Sequence, residues 1–161
     1  MYALRGMIFL PDLIIGKSVM QTEAIWVIDS DEDDQQMVQE VWRELKLTNE
    51  LVFLNNAEEA LSRLAAIDTA PFIIICELNL EKVDGFQLRE KMLSTNKKIF
   101  KSVPFIFWAT QVSENQIIQA YDLSIHGLFI KDSSFEELKN TFKYILAYWL
   151  KSKMPSKTAN A

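Results

Sequence analysis

The chain has 161 residues, 49% of them apolar and 24% charged, with a formal net charge of −5. That length suits one domain with a sizeable core, and the mild negative charge argues against a large nucleic-acid footprint. One cysteine and one histidine exclude an internal disulfide and Cys- or His-rich metal sites, and they suit a protein of the reducing cytoplasm.

Residues 1–21 read as an extension ahead of the core. Met7-Ile8-Phe9-Leu10 and Leu13-Ile14-Ile15 are apolar, but Pro11 and Asp12 interrupt them, so the stretch is too short and too broken for a transmembrane helix. No membrane segment is expected elsewhere. Gly16-Lys17-Ser18 echoes the end of a phosphate-binding loop. The first glycine of that motif falls at Pro11, and Leu13, Ile14 and Ile15 would line the loop, so the motif is rejected.

From residue 22 short apolar runs alternate with helical patterns. Ala24 to Ile28 is a first strand. Asp31 to Leu47 carries apolar residues at Met37, Val38, Val41, Trp42 and Leu45, one stripe of a helix. Asp31, Glu32, Asp33 and Asp34 stand at its N-terminus, where the helix dipole favours acids. Leu51 to Leu54 is a second strand, and Asn56 caps a second helix with Ala60, Leu61, Leu64 and Ala65 inward. Phe72 to Cys76 is a continuous apolar run, typical of a strand covered on both faces. A third helix spans Phe86 to Leu93 and a fourth strand Val103 to Trp108. Ser113 with Gln116 makes a capping box for a fourth helix carrying Ile117, Ile118 and Tyr121. Gly127 to Ile130 is a fifth strand. Ser133 and Ser134, with Glu136 and Glu137, open a last helix striped by Leu138, Phe142, Ile145, Leu146 and Trp149. A polar, basic tail from Lys151 is expected to be disordered.

Five strands alternating with five helices predict a doubly wound α/β domain over residues 22–150: a five-stranded parallel sheet in the order 2-1-3-4-5. Sites in such sheets form beyond the carboxyl ends of the strands, near the switch between strands one and three. Asp29 follows the first strand and Glu77 ends the third, so the pattern alone places two acids at one site.

The segment Ile73-Ile74-Ile75-Cys76-Glu77-Leu78-Asn79 resembles the phospho-acceptor strand of response-regulator receiver domains, the CheY-like family, and the resemblance extends from Ile25 to about Trp149. It implies phosphorelay signalling without substrate turnover. Ile25-Trp26-Val27-Ile28-Asp29-Ser30 matches the first strand and the acidic pair that holds magnesium, with Ser30 in place of the second acid. Glu77 stands where the family has its acceptor aspartate. Asn79 matches the position whose backbone carbonyl completes the metal shell, and Asp84-Gly85 matches the turn before the third helix. Ala109 replaces the Thr/Ser that bonds the phosphoryl group, with Thr110 just after it. Lys131 matches the family's lysine, Asp132 replaces the proline after it, and Leu128 stands at the aromatic switch position.

The expectation is therefore an atypical pseudo-receiver that binds a partner. Magnesium would be held weakly, by Asp29, Glu77 and the Asn79 carbonyl. A Glu77–Lys131 ion pair would mimic the bond that Lys131 makes to a phosphoryl group. The resemblance implies a histidine kinase, another protein or a second copy as partner, bound on the face of the fourth helix, fifth strand and last helix, where Tyr144 and Tyr148 lie. One alternative is a weakly phosphorylated, working receiver. Another is a haloacid-dehalogenase-type phosphatase with Asp29 as nucleophile and Asp31 as acid, although the paired aspartates expected after the fourth strand are missing. Asp29, Asp31, Asp33 and Glu40 have the spacing of an EF-hand loop, but Asp34 replaces its glycine and a strand precedes it. Cys76 reads as a buried strand residue and His126 as a loop residue before Gly127.

Overall fold

Hydrophobic runs bounded by turns become five parallel strands in the computed structural model, which describes residues 23–158. The expectations for residues 1–21, including the rejected phosphate loop, lie outside the described residues. The strands are β1 (Ile25–Ile28), β2 (Leu51–Leu54), β3 (Ile73–Glu77), β4 (Phe105–Ala109) and β5 (Gly127–Ile130), in the order β2-β1-β3-β4-β5. The helices are α1 (Glu32–Glu44), α2 (Ala57–Ala66), α3 (Gly85–Ser94), α4 (Lys98–Lys101), α5 (Glu114–Asp122) and α6 (Phe135–Lys151). The short α4 has no counterpart among the five predicted helices, so the fourth and last of those are α5 and α6. Among the described residues no helix is long and apolar enough to cross a membrane.

Alternation along each strand divides the core in two, because successive strand residues point to opposite faces. Ile25, Val27, Ile73, Ile75, Ile106 and Trp108 face α1 and α6, meeting Val38, Val41, Leu138 and Phe142. Trp26, Ile28, Ile74, Cys76, Phe105 and Phe107 pack on the other side with Leu64, Leu88, Met92 and Ala120. The helix starts follow the sequence. Asn56 caps α2, and Ser113 with Gln116 closes the predicted capping box of α5. Asp84 with Gln87 forms another at α3.

Several expectations change. The first helix stops at Glu44 rather than Leu47, and β4 begins at Phe105 rather than Val103. On α5, for which the sequence set no inward face, Ile118 and Tyr121 are 54% and 56% exposed. The tail beyond Lys151 is not featureless either. Residues 152–158 fold back under the amino ends of the strands, where the amide of Ala70 donates to the carbonyl of Lys157 at 2.7 Å and Thr69 bridges Thr158. Met154 is partly buried against the core cluster between the sheet, α1 and α6. Composition argued for a solvated tail, but backbone hydrogen bonds and one apolar anchor hold it.

Lys157 lies 6% exposed in this clasp, and among the described residues no acceptor meets its Nζ. Burial lowers its pKa to about 8 from the ordinary 10.5. A base whose folded-state pKa is depressed costs stability in full below that value, and the cost fades as pH rises towards the unfolded value. Lys157→Met keeps the packed stem and removes the orphaned donor, so it should stabilise the fold by about 1–3 kcal/mol at pH 7. Thermal unfolding should show a higher midpoint at pH 7 and no gain near pH 10.5. An unchanged or lower midpoint at pH 7 would show that the amine is solvated.

Candidate functional site

Parallel register sets the site. Ile28 pairs with Cys76 and Glu77 with Trp108, and the amide of Lys131 continues the ladder by donating to the carbonyl of Ala109 at 2.9 Å. Asp29, Glu77, Ala109 and Lys131 therefore emerge in one row at the carboxyl end of the sheet; the strand order predicted this for the two acids, and the resemblance for Ala109 and Lys131.

Lys131 is the hub. Its Nζ lies 2.8 Å from Asp29 Oδ2, 2.6 Å from Asp34 Oδ2 and 2.5 Å from Glu77 Oε2. The expected Glu77–Lys131 pair is present, and Asp34 extends it to a three-acid cluster. Asp34 escaped the sequence reading because it sits in an acidic run whose position at a helix start already had an explanation. Its neighbour Asp31 does cap α1, accepting from the amides of Asp33 and Asp34. Asp31 is thus engaged in the helix start, away from the acid role of the phosphatase alternative.

The remaining oxygens of the two buried acids also have donors. Asp29 Oδ1 accepts from the amide of Asp31 and Glu77 Oε1 from the amide of Asn79, both at 2.9 Å. The Asn79 group that reaches Glu77 is its N–H. Gln35, which the sequence reading also missed, donates to the Asp29 carbonyl at 2.6 Å and to Asn55 Oδ1 at 3.1 Å, tying the loops after β1 and β2.

Burial raises the pKa of Asp29, against the lowering effect of its bond to Lys131. For Lys131 burial alone would favour the neutral amine, but hydrogen bonds to Asp29, Asp34 and Glu77 outweigh it and hold the pKa above its ordinary value. The ammonium also lies 4.7 Å from the centre of the Trp108 ring. Trp108 in turn stands edge-on to Phe142 of α6.

The other positions are passive. Ser30 and Thr110 are exposed, while the methyl of Ala109 is fully buried and offers no hydroxyl. Leu128 is half-buried against the α3 side of the core. Cys76 is buried and burial pushes its thiol pKa up, which suits a packing role. His126 accepts the Phe105 amide through Nδ1 at 3.1 Å and stands edge-on to Trp149. Gly85 is required by close approach, since a Cβ there would lie 2.6 Å from the Phe107 ring and 3.0 Å from the Glu77 carbonyl.

Both oxygens of Asp29 and of Glu77 accept a donor, and one oxygen on each faces the Lys131 ammonium. Among the described residues no group of three or more acidic, His or Cys side chains is arranged to hold a metal.

A second surface lies on α5, β5 and α6. Ile118, Tyr121, Phe129, Ile130, Tyr144 and Tyr148 are all exposed there. A groove of about 340 Å³ runs between β5 and α6, floored by Ile106 and Ile145 and rimmed by Phe129 and Tyr144.

The family model of the response regulator receiver domain matches residues 25–143. The chain is 25% identical over 139 residues to the probable methanogenesis regulatory protein FilR2 of Methanothrix harundinacea (strain 6Ac), covering 82% of this chain and 88% of that one. Its fold superposes on the crystal structure of the phosphorylated cyanobacterial phytochrome response regulator RcpA with a TM-score of 0.75 and 25% identity, over 83% of this chain and 99% of RcpA. The Mn(2+)-bound form of response regulator Rcp1 gives a TM-score of 0.72 at 23% identity over the same shares.

Proposed function

Because this chain belongs to the response regulator receiver domain family, the family of two-component signalling, we propose that it is a pseudo-receiver: it keeps the receiver fold, does not use phosphoryl transfer as its switch, and acts by binding a protein. One observation carries this reading. Glu77, at the acceptor position, is tied through one oxygen to the Asn79 amide and through the other to Lys131. A carboxylate attacking a phosphoryl group needs a free oxygen in line with the phosphorus, and small misplacements of a reacting atom are costly. RcpA takes a phosphoryl group. Here the lysine is already engaged by a carboxylate of the chain itself, and Ala109 has no hydroxyl for the transferred group.

The exposed apolar side chains on α5, β5 and α6 supply the binding surface. Aromatic residues dominate the energetics of protein interfaces, and Phe129, Tyr144 and Tyr148 cluster around one groove. The partner is a second copy of the chain or another signalling protein, with a histidine kinase the candidate upstream.

Incubation with acetyl phosphate and magnesium tests the reading. The intact mass should stay that of the free chain over hours. A stoichiometric phosphoryl adduct on Glu77, or on Asp84 at the start of α3, would make the chain a working receiver instead.

A further inference from the structure

The acidic pocket at the carboxyl end of the sheet already contains a cation, and that cation belongs to the chain. Three carboxylates from three elements meet one ammonium: Asp29 after β1, Asp34 in the first turn of α1 and Glu77 at the end of β3. Hard divalent cations take about six or more oxygen ligands at roughly 2.0–2.6 Å, and even magnesium, which keeps several waters in its shell, needs one or two carboxylate oxygens free to face it. Here the oxygens of Asp29 and Glu77 that do not face Lys131 accept backbone amides. Ser30 brings a neutral hydroxyl in place of a carboxylate, and it is exposed.

The pocket also has features suited to an ammonium. Lys131 lies over the face of Trp108, a surface that attracts an ammonium and offers a metal no oxygen ligand. Its arm is covalently attached to β5, so it competes with any dissolved ion at a high effective concentration. Its side chain is 13% exposed, which leaves little of the charge to water.

We propose that Lys131 is the resident cation of this pocket, with Asp34 recruited as its third acid, and that the pocket excludes magnesium and manganese in favour of the internal ammonium. The pocket is thereby a closed ion cluster. The inference concerns the same pocket as the proposed function but does not depend on Glu77 failing to accept a phosphoryl group.

Titration of the full chain with Mn2+ alone tests it, following Trp emission and the free-metal concentration. Wild type should show no saturable binding below about 1 mM, the weak end of oxygen-ligand sites. Ser30→Asp, which adds an acid but leaves the ammonium, should bind within about threefold of wild type. Lys131→Met should bind at least about tenfold tighter than wild type, a difference of 1.4 kcal/mol. Lys131→Gln, a smaller change in polarity, serves if the methionine form does not fold. Saturable binding by wild type below about 1 mM overturns the proposal. So does Ser30→Asp reaching the affinity of the lysine variant, or a folded lysine variant no tighter than wild type. A phosphoryl adduct would overturn the pseudo-receiver reading alone, and metal binding by wild type would overturn this inference alone.

Discussion

Lys131→Ala should destabilise the domain by about 3–5 kcal/mol, towards the lower end because Asp34 is partly solvated. Removing the ammonium leaves the carboxylates of Asp29, Asp34 and Glu77 facing one another, two of them largely buried. The loss comes chiefly from charges left without their partner, so it exceeds the value of any one ion pair. It is also a large share of the 5–15 kcal/mol by which domains are stable. The deficit should shrink on acidification. Burial already raises the pKa of Asp29 with Lys131 present, and without the lysine the protonated form is favoured further. Uptake of a proton by one acid relieves the repulsion in the variant, whereas in wild type it breaks a bond to Lys131. Urea unfolding at neutral and at acidic pH measures both quantities. A loss below 1 kcal/mol at neutral pH, or one that grows on acidification, would show that water rather than Lys131 neutralises these acids.

Glu77→Gln should alter the binding surface more than the stability. The amide side chain keeps an oxygen for the Asn79 N–H, and the ammonium keeps Asp29 and Asp34. What changes is the pull on Lys131 along β3. Lys131 lies on Trp108, and Trp108 meets Phe142 on the inner side of α6, whose outer side carries Tyr144 and Tyr148. A ligand or charge shifts a conformational equilibrium only by its difference in free energy between the states. One ion pair of this kind, coupled over that distance, should weaken self-association or partner binding by about fivefold or more. Hydrogen exchange over residues 127–140 should quicken in the variant, with oligomer size falling in parallel, both measured in metal-free buffer. If exchange and size match wild type, Glu77 does not set the state of the surface.

Much of this is legible in the amino-acid sequence. Continuous apolar strands and striped helices led directly to the parallel sheet. Strand order then brought Asp29 and Glu77 together, because both lie at carboxyl ends of strands, and the family resemblance added Lys131. What escaped was side-chain reach. Asp34 looked like one of four interchangeable acids at a helix start, and only the docking angle of α1 selects it. Trp108 read as core, yet its ring forms the floor under the ammonium. The sequence sets no direction for Ile118 and Tyr121, because an apolar residue on a short helix does not say which side it faces. The tail is anchored by main-chain bonds and one methionine, which composition cannot reveal.

The residue after Lys131 has a consequence for how the molecule opens. Asp132 takes the 2.7 Å hydrogen bond of the Thr141 hydroxyl, which reaches back from the second turn of α6. A proline at this position would limit the backbone in the unfolded chain as well as the folded one. A hydrogen bond to a helix restrains the backbone only while that helix is docked. The loop from Asp132 to Ser134 and the first turns of α6 are thus joined into one cooperative opening unit: when the helix lifts, the loop melts with it, and neither should be caught open alone.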